Sequence, residues 1–172
     1  MDNTILEIKN LQKKYGKKEV LKGIDLKING GQIVGLLGPN GSGKTTFIKI
    51  IAGLIQDYTG DILIAQYAPG VHTKEMVSYL PEKTYLSSWM TVRDAFLLFS
   101  GFYKDFSIEK ARDMAFSLGL EEKQKISSMS KGMQEKVQLI LVMSRQSRLY
   151  VLDEPIGGVD PAARDYILST II

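Results

Sequence analysis

One short stretch of the chain combines glycines, a lysine and threonines at a spacing that suits an anion rich in oxygen atoms. It consists of Gly38, Pro39, Asn40, Gly41, Ser42, Gly43, Lys44 and Thr45, with Thr46 next. A glycine, four further residues and then Gly-Lys-Thr form the pattern of a phosphate-binding loop. Glycines tolerate positive φ and let backbone N–H groups approach phosphate oxygens closely.

The residues at the end of this loop have the chemistry that a nucleotide requires. Lys44 is expected to reach the β- and γ-phosphates as a point charge, and the Thr45 hydroxyl is a hard oxygen donor suited to Mg²⁺. The amphipathic segment that follows would point the positive end of its helix dipole at the same anion. The alternatives are a glycine-rich turn with an exposed lysine and a dinucleotide site, which the Lys-Thr pair directly after Gly43 disfavours.

A second candidate for chemistry is the acidic pair Asp153 and Glu154, which follows the apolar run 149–152. A carboxylate at the end of a strand beside a phosphate loop can hold Mg²⁺, and the next carboxylate can accept a proton from an attacking water. Taken alone, Asp-Glu-Pro after a strand is typical of a solvated turn. Together with the phosphate loop, the pair indicates a nucleotide site.

Composition limits the classes of protein to consider. The chain has 172 residues, of which 44% are hydrophobic and 24% charged, as expected for one domain with a core. A net charge of +3 is too weak to indicate nucleic-acid binding. The absence of cysteine excludes disulfides and thiolate metal sites and fits an intracellular setting. No signal peptide or apolar run of about 20 residues is present, so we expect a soluble chain.

The first half of the chain alternates between strand and helix patterns. Ile24, Leu26 and Ile28 alternate with polar residues and predict an antiparallel strand whose partner contains Leu6 and Ile8. The turn region between them holds Tyr15 and Gly16, flanked by a cluster of lysines that predicts a solvated loop. The cluster consists of Lys13, Lys14, Lys17 and Lys18.

Three further elements are expected around the phosphate loop. The apolar run 32–37 predicts a strand buried on both faces. Helical spacing then continues from Phe47 to Ile55, and residues 61–64 form another short strand. The helical pattern is carried by Phe47, Ile48, Ile51, Leu54 and Ile55.

The second half begins with a helical insert. Apolar residues recur at helical period within 92–99 and 111–118, with Gly119 as a stop, and 137–143 is again helical. Residues 149–152 predict a second buried strand. We therefore expect one α/β domain in which 1–84 and 131–172 form the core and β subdomain, and about 85–130 form a helical subdomain.

With these features, the chain resembles the ATP-binding-cassette (ABC) ATPase family over essentially its whole length. The family's signature, Leu-Ser-Gly-Gly-Gln, corresponds to Met129-Ser130-Lys131-Gly132-Met133. The resemblance implies a P-loop NTPase fold, with a RecA-like core, an N-terminal antiparallel β subdomain and an inserted α-helical subdomain. It also implies that Ser130 and Gly132 contact the γ-phosphate of an ATP held by the opposite subunit, and that Tyr15 stacks on adenine.

The same resemblance assigns ATP and Mg²⁺ as cofactors and gives each site residue a role. The catalytic set is Lys44, Glu82, Glu154 and Asp160, and the metal ligands are Thr45, Glu82 and Asp153. Asp160 lies in Gly157-Gly158-Val159-Asp160, which resembles the D-loop that joins two subunits, although the polar residue usual near the two glycines is missing.

This sequence departs from the family pattern at two more places. Glu82 stands where the family has the Q-loop glutamine, which adds a negative charge and removes an amide donor. The only histidine, His72, lies in a predicted surface loop too early to be the family's switch histidine. Complete family domains are longer by roughly fifty residues, so we expect a C-terminally truncated chain that lacks core strands, with low solubility and weak or no turnover alone.

The resemblance implies an ATP-hydrolysing subunit that pairs with a second cassette and powers a separate membrane permease. The likeness to drug and bacitracin exporters favours export, by analogy alone, and the segment 89–92 resembles the surface that receives the permease. The expected location is cytoplasmic, at the inner face of the membrane, with no nucleic-acid partner. Two alternatives stay open: a non-transport ABC ATPase working on ribosomes or DNA, and a regulatory module with impaired hydrolysis.

Overall fold

The computed structural model of the protein describes residues 3–155, 165–166 and 168–169. The strands are β1 (Thr4–Tyr15), β2 (Lys18–Asn29), β3 (Thr59–Ile64), β4 (Val77–Leu80) and β5 (Leu149–Leu152). The helices are α1 (Lys44–Ile51), α2 (Val71–Met76), α3 (Val92–Phe102), α4 (Ile108–Ser117) and α5 (Lys131–Met143), with a 3₁₀ turn at Ile126–Ser128.

The chain divides into two compact units. The first unit runs to Ser78 and includes Arg148–Val151, and the second unit contains Tyr79–Ser147 and the chain from Leu152 onward. In the part of the chain that the structure describes, no helix is both long and apolar enough to cross a membrane.

A three-stranded antiparallel sheet in the order β2-β1-β3 forms the base of the first unit. Ile8 pairs with Leu26 and Leu6 with Ile28, which confirms the predicted antiparallel partners. Leu6 and Ile8 lie on one face of β1, because side chains two apart on a strand share a face. In this unit Leu6, Ile8, Leu11, Ile50 and Ile64 are fully buried.

The chain enters β3 through a glycine that touches the neighbouring backbone. Gly60 has φ +98°, and a Cβ at this position would overlap the carbonyl oxygens of Lys9 and Asn10 on β1. Only a residue without a side chain lets the two strands approach this closely at such a φ. The register of β1 and β3 shifts at this point, between Lys9 and Gln12.

The prediction of a buried strand at 32–37 is wrong for the described structure. The segment has no strand conformation, and Ile33, Val34, Leu36 and Leu37 are all exposed. An apolar, partly β-branched run becomes a strand only where a neighbouring strand supplies hydrogen bonds. Among the described residues no strand pairs with it.

Helix α1 begins at Lys44, directly after the glycine loop, and ends earlier than its pattern predicted. It stops at Ile51 because Gly53, at φ +71°, takes the left-handed conformation that closes helices. The Leu54 N–H still bonds the Lys49 carbonyl, at 2.9 Å, but Leu54 itself is exposed. Leu54 and Ile55 therefore lie outside the helix, contrary to the helical spacing.

Helix α2 and strand β4, which follow one another directly, were not predicted from the sequence. His72 lies in α2 rather than in a loop, and its side chain is exposed as expected. β4 pairs with β5 in a two-stranded sheet. In the first unit the Arg148 N–H donates to the Met76 carbonyl at 2.9 Å, and in the second the Asp153 N–H donates to the Leu80 carbonyl at 3.0 Å.

The apolar periodicity predicted α3, α4 and α5 as helices, and the three pack against one another in the second unit. α3 begins with a capping box in which the Thr91 hydroxyl accepts the Asp94 N–H at 3.1 Å and the Asp94 carboxylate accepts the Thr91 N–H at 2.9 Å. α4 ends before Gly119, whose φ of +68° confirms the predicted stop. Phe96 and Phe106 join the helices within one aromatic cluster.

Candidate functional site

The phosphate loop curls around the ammonium group of its own lysine. The Lys44 Nζ donates to the carbonyl oxygens of Gly38 at 2.7 Å and Pro39 at 3.0 Å. The Ser42 N–H closes the turn by donating to the Pro39 carbonyl at 3.2 Å. An ammonium group has three donors, so Lys44 retains one for a ligand oxygen while the loop backbone holds it in place.

Two glycines give the loop its shape. Gly41 and Gly43 have φ values of +79° and +101°, which residues with a Cβ rarely adopt. Gly43 also touches β2, because a Cβ there would lie 3.0 Å from side-chain carbons of both Val20 and Leu21. The loop is therefore seated against the start of β2.

The N-terminus of α1 offers donors to an anion. Gly43 is the N-cap and provides no side-chain hydrogen bond, and the first turn contains no acidic residue. The first N–H groups of a helix have no acceptor within the helix, so those of Thr45 and Thr46 face outward from the end that carries the positive dipole. This arrangement of N–H groups, helix dipole and lysine suits a phosphate group.

The aromatic residue predicted to contact a base lies at the hairpin tip of the same unit. Tyr15 is the last residue of β1, pairs with Lys18 and is half exposed. Lys13 lies beside it with its Nζ 4.7 Å from the centroid of the Tyr15 ring. The prediction of a solvated lysine cluster is wrong for Lys13, which is buried and forms an ion pair with Asp57 at 2.8 Å.

The acidic pair lies in the second unit, at the end of β5. Asp153 is buried, and its Oδ2 has no hydrogen-bond partner among the described residues. The hydroxyl of Tyr79 is also buried and has no hydrogen-bond partner among the described residues. Burial, together with the negative charges of Asp153 and Glu82, raises the pKa of Tyr79 to about 12. These three side chains therefore share one electrostatic environment, in which Tyr79 stays protonated.

Glu154 has a different environment from Asp153. Its side chain is exposed, and its φ of +52° is uncommon for a residue with a side chain. Such a conformation costs about 1–3 kcal/mol and persists only where the surrounding chain imposes it. Glu154 is exposed to solvent, whereas the neighbouring Asp153 is buried.

The signature segment forms the start of α5. Ser130 is the N-cap, and its Oγ accepts the Met133 N–H at 3.3 Å, while Gly132 lies in the first turn. Gln134 braces the segment by donating to the carbonyls of Ile126 and Met129, both at 3.2 Å. Like α1, α5 has no acidic residue in its first turn.

Two further predicted site residues are Asp160 and Glu82. Asp160 and the D-loop lie outside the described residues. Glu82 is exposed and follows β4 in the second unit. Within residues 3–155 and the short described stretches beyond them, no group of three or more His, Cys, Asp or Glu side chains could hold a metal ion.

Comparison with known proteins decides the family. Residues 21–157 match the ABC transporter family. The chain belongs to that family. Its fold is that of an ABC ATP-binding domain, a P-loop α/β fold with an antiparallel β subdomain, and it matches a solved ATP-binding subunit of an ABC transporter with a TM-score of 0.86 and 30% identity over 98% of this chain and 73% of that one.

Two curated relatives of this ABC domain are considerably longer than the chain itself. The linearmycin resistance ATP-binding protein LnrL of Bacillus subtilis (strain 168) is 32% identical, and the match covers 97% of this chain and 56% of that protein. Nod factor export ATP-binding protein I of Burkholderia orbicola (strain AU 1054) is 34% identical, over 92% of this chain and 55% of that protein. The ABC domain spans about half the length of these relatives.

The sequence motifs did not indicate two residues that lie beside the candidate site residues, Lys13 and Tyr79. Lys13 lies two positions before Tyr15, and residues i and i+2 of a strand share a face, so their proximity was open to prediction. Tyr79 carried no comparable signal, because β4 itself was not recognised from its four residues.

Proposed function

We propose that this ABC domain binds Mg-ATP at its phosphate loop and, paired with a second cassette, hydrolyses it to power a separate membrane permease. The observation that carries the proposal is the loop itself. Lys44 is held at its centre by two carbonyl oxygens, beside the uncapped N-terminus of α1. Backbone N–H groups and one ammonium can together neutralise a triphosphate.

The residues of the loop bind and orient the nucleotide. Lys44 contacts the β- and γ-phosphates, the N–H groups of residues 41–46 surround them, and Tyr15 supports the base with its exposed ring. Since the loop is seated on β2 and Tyr15 ends β1, base and phosphates would be bound by elements of the same unit.

The donor set suits Mg²⁺. A buried carboxylate oxygen without a partner is costly, and Asp153 Oδ2 is such an atom. Asp153, the Thr45 hydroxyl and Glu82 are the proposed oxygen donors. Few protein ligands are needed, because Mg²⁺ keeps several waters and bridges phosphates. When bound, the ion neutralises charge on the β- and γ-phosphates.

Glu154 is the proposed general base. Its carboxylate is exposed, unlike that of Asp153, and can accept the proton of an attacking water. Ser130 and Gly132, at the N-terminus of α5, are proposed to contact the γ-phosphate of the partner cassette's ATP. Asp160 is proposed to join the two cassettes.

The proposed membrane partner rests on exposed apolar side chains of the second unit and on the relatives. Trp89, Leu97, Leu98 and Phe102 are exposed on and just before α3, and apolar side chains grouped on a surface are typical of a protein interface. Export is the proposed direction, because LnrL is named for linearmycin resistance and the Burkholderia protein for Nod factor export. The domain would then lie at the cytoplasmic face of the membrane.

Removing the lysine ammonium tests the binding step. We expect Lys44→Ala to weaken ATP binding by about a hundredfold, because hydrogen bonds to charged groups contribute about 1.5–3 kcal/mol each. Isothermal titration calorimetry with Mg-ATP measures this. Lys49→Ala, in the last turn of the same helix, is the control and should bind as the wild type does. Unchanged affinity in Lys44→Ala would remove the phosphate loop from the account.

Removing the carboxylate of Glu154 tests the catalytic step. In the complete protein with its partner cassette, Glu154→Gln should bind ATP with wild-type affinity and release phosphate at least about a hundredfold more slowly, since general-base catalysis contributes about 10²–10⁴-fold. A phosphate-release assay gives the rate. Normal turnover in this variant would exclude Glu154 as the base, and no turnover in the wild type would favour a regulatory module.

A further inference from the structure

The tip of the first hairpin contains a buried lysine that the phosphate loop does not use. The Lys13 side chain is 4% exposed, and its Nζ lies 2.8 Å from Asp57 Oδ2 and 4.7 Å from the centroid of the Tyr15 ring. Tyr15 remains 51% exposed. The ammonium therefore lies over one face of the ring, and about half of the residue remains accessible to a ligand.

The hairpin links this cation–π pair to the phosphate loop. Lys13 pairs with Leu21 across the β1–β2 ladder. A Cβ on Gly43 would lie 3.0 Å from a Leu21 methyl carbon. The residue that carries the ammonium is therefore paired with a residue against which the phosphate loop is seated.

Asp57 is the partner that allows the ammonium to be buried. A buried charge is costly unless it is paired, and the exposed Asp57 carboxylate supplies that pair. The Asp57 carboxylate is itself 99% exposed, so Asp57→Asn removes no buried packing and acts through loss of the charge that pairs with the Lys13 ammonium. Loss of the Asp57 charge is expected to change the position of the Lys13 ammonium.

We propose that Lys13, held by Asp57, is a positioning residue for nucleotide binding: it fixes the Tyr15 ring so that the open face stacks on the adenine of ATP. A cation is attracted to the face of an aromatic ring. A ring ordered in advance loses less conformational entropy when a ligand stacks on it. The inference rests on the proposed binding of ATP at the phosphate loop and deepens it.

The test separates binding of the base from binding of the phosphates. Calorimetric titrations use ATP and inorganic tripolyphosphate, which has the phosphates but no base. Lys13→Met should weaken ATP binding about three- to tenfold and Asp57→Asn about two- to fivefold, with tripolyphosphate affinity unchanged. The controls are Lys14→Met and Glu19→Gln, which disrupt the 2.6 Å ion pair on the same hairpin and should change neither affinity.

A double-mutant cycle distinguishes positioning from general support of the fold. In a Tyr15→Ala background, Lys13→Met should cause no further loss of ATP affinity, because no ring remains to be positioned. A further loss there, an equal loss for both ligands, or unchanged ATP affinity in both Lys13→Met and Asp57→Asn would overturn the proposal. Should Lys13→Met fail to fold, Asp57→Asn decides, since its carboxylate is exposed.

Failure of the underlying function gives a different result. A wild-type chain that binds neither ATP nor tripolyphosphate, or a Lys44→Ala variant that binds both normally, would contradict the phosphate-loop assignment and with it this inference. Normal tripolyphosphate binding that depends on Lys44, together with ATP affinity insensitive to Lys13 and Asp57, would overturn the inference alone.

Discussion

Single residues of this domain differ in how far their neighbours constrain them. Lys44 is held by two carbonyl oxygens at 2.7 and 3.0 Å, whereas Asp153 Oδ2 and the Tyr79 hydroxyl are buried without a hydrogen-bond partner among the described residues. Buried polar atoms are normally paired. These two buried polar atoms therefore lack a protein partner in the described structure, and the proposed Mg²⁺ site would use Asp153 Oδ2.

The buried hydroxyl of Tyr79 makes stability depend on pH in the alkaline range. Its pKa is raised from 10.0 to about 12 by burial and the nearby carboxylates. A raised pKa contributes stability below the unfolded-state value, and this contribution is lost as pH rises through the folded-state value. We expect the unfolding free energy of the wild type to fall more steeply between pH 10 and about 12 than that of Tyr79→Phe.

Denaturant titrations at several pH values measure this difference. Tyr150→Phe, a half-buried tyrosine of β5, is the matched control and should leave the steep fall in place. Parallel pH profiles for the wild type and Tyr79→Phe would contradict the burial of the hydroxyl.

The residues of the phosphate loop could be predicted from sequence because their chemistry is local. Glycines, lysine and threonine at fixed spacing specify the loop whatever surrounds it. The burial of Lys13 could not be predicted, because it depends on Asp57, 44 positions along the chain. A run of lysines predicts a solvated surface only where no carboxylate from a distant part of the chain pairs with one of them, as Asp57 does with Lys13.

Elements with alternating or helical apolar patterns were predicted correctly, including β1, β2, β3, α3, α4 and α5. The structure of the segment 32–37 was predicted wrongly. A strand buried on both faces forms only beside neighbouring strands, and the residues of the segment itself carry no information about those neighbours. The early end of α1 came from Gly53, whose left-handed conformation outweighs the apolar pattern that continues to Ile55. β4 and α2 are too short to show a period.

The contact between β1 and β3 predicts an unusually sensitive glycine. Gly60→Ala should destabilise the first unit, because the new Cβ would meet the Lys9 and Asn10 carbonyls and the residue would keep a φ of +98°. We expect a loss of about 3 kcal/mol or more, from strain and overpacking together. Gly16→Ala is the control, because Gly16 has φ +58° and a Cβ there would have no atom within 4 Å. This variant shows the effect of φ alone and should lose less unfolding free energy than Gly60→Ala.

Thermal and chemical unfolding of these two glycine variants measure the difference. Equal losses would mean that β1 and β3 do not approach closely at Gly60.

At the scale of the whole molecule, the residues of the proposed nucleotide site are divided between two compact units. The phosphate loop and Tyr15 belong to the first unit, and Tyr79, Glu82, Asp153 and the start of α5 belong to the second. Family and fold class followed from the sequence motifs and are confirmed by the match over residues 21–157. No motif indicated a substrate for the proposed transport.

The central claim is that residues 38–46 hold the triphosphate of ATP. Amide hydrogen exchange of the chain with and without Mg-ATP tests it most directly, since N–H groups that bind phosphate become protected. The account predicts strong protection across residues 38–46, loss of that protection in Lys44→Ala, and weaker protection around Tyr15. Protection elsewhere in the chain, with residues 38–46 exchanging as fast as without nucleotide, would contradict it.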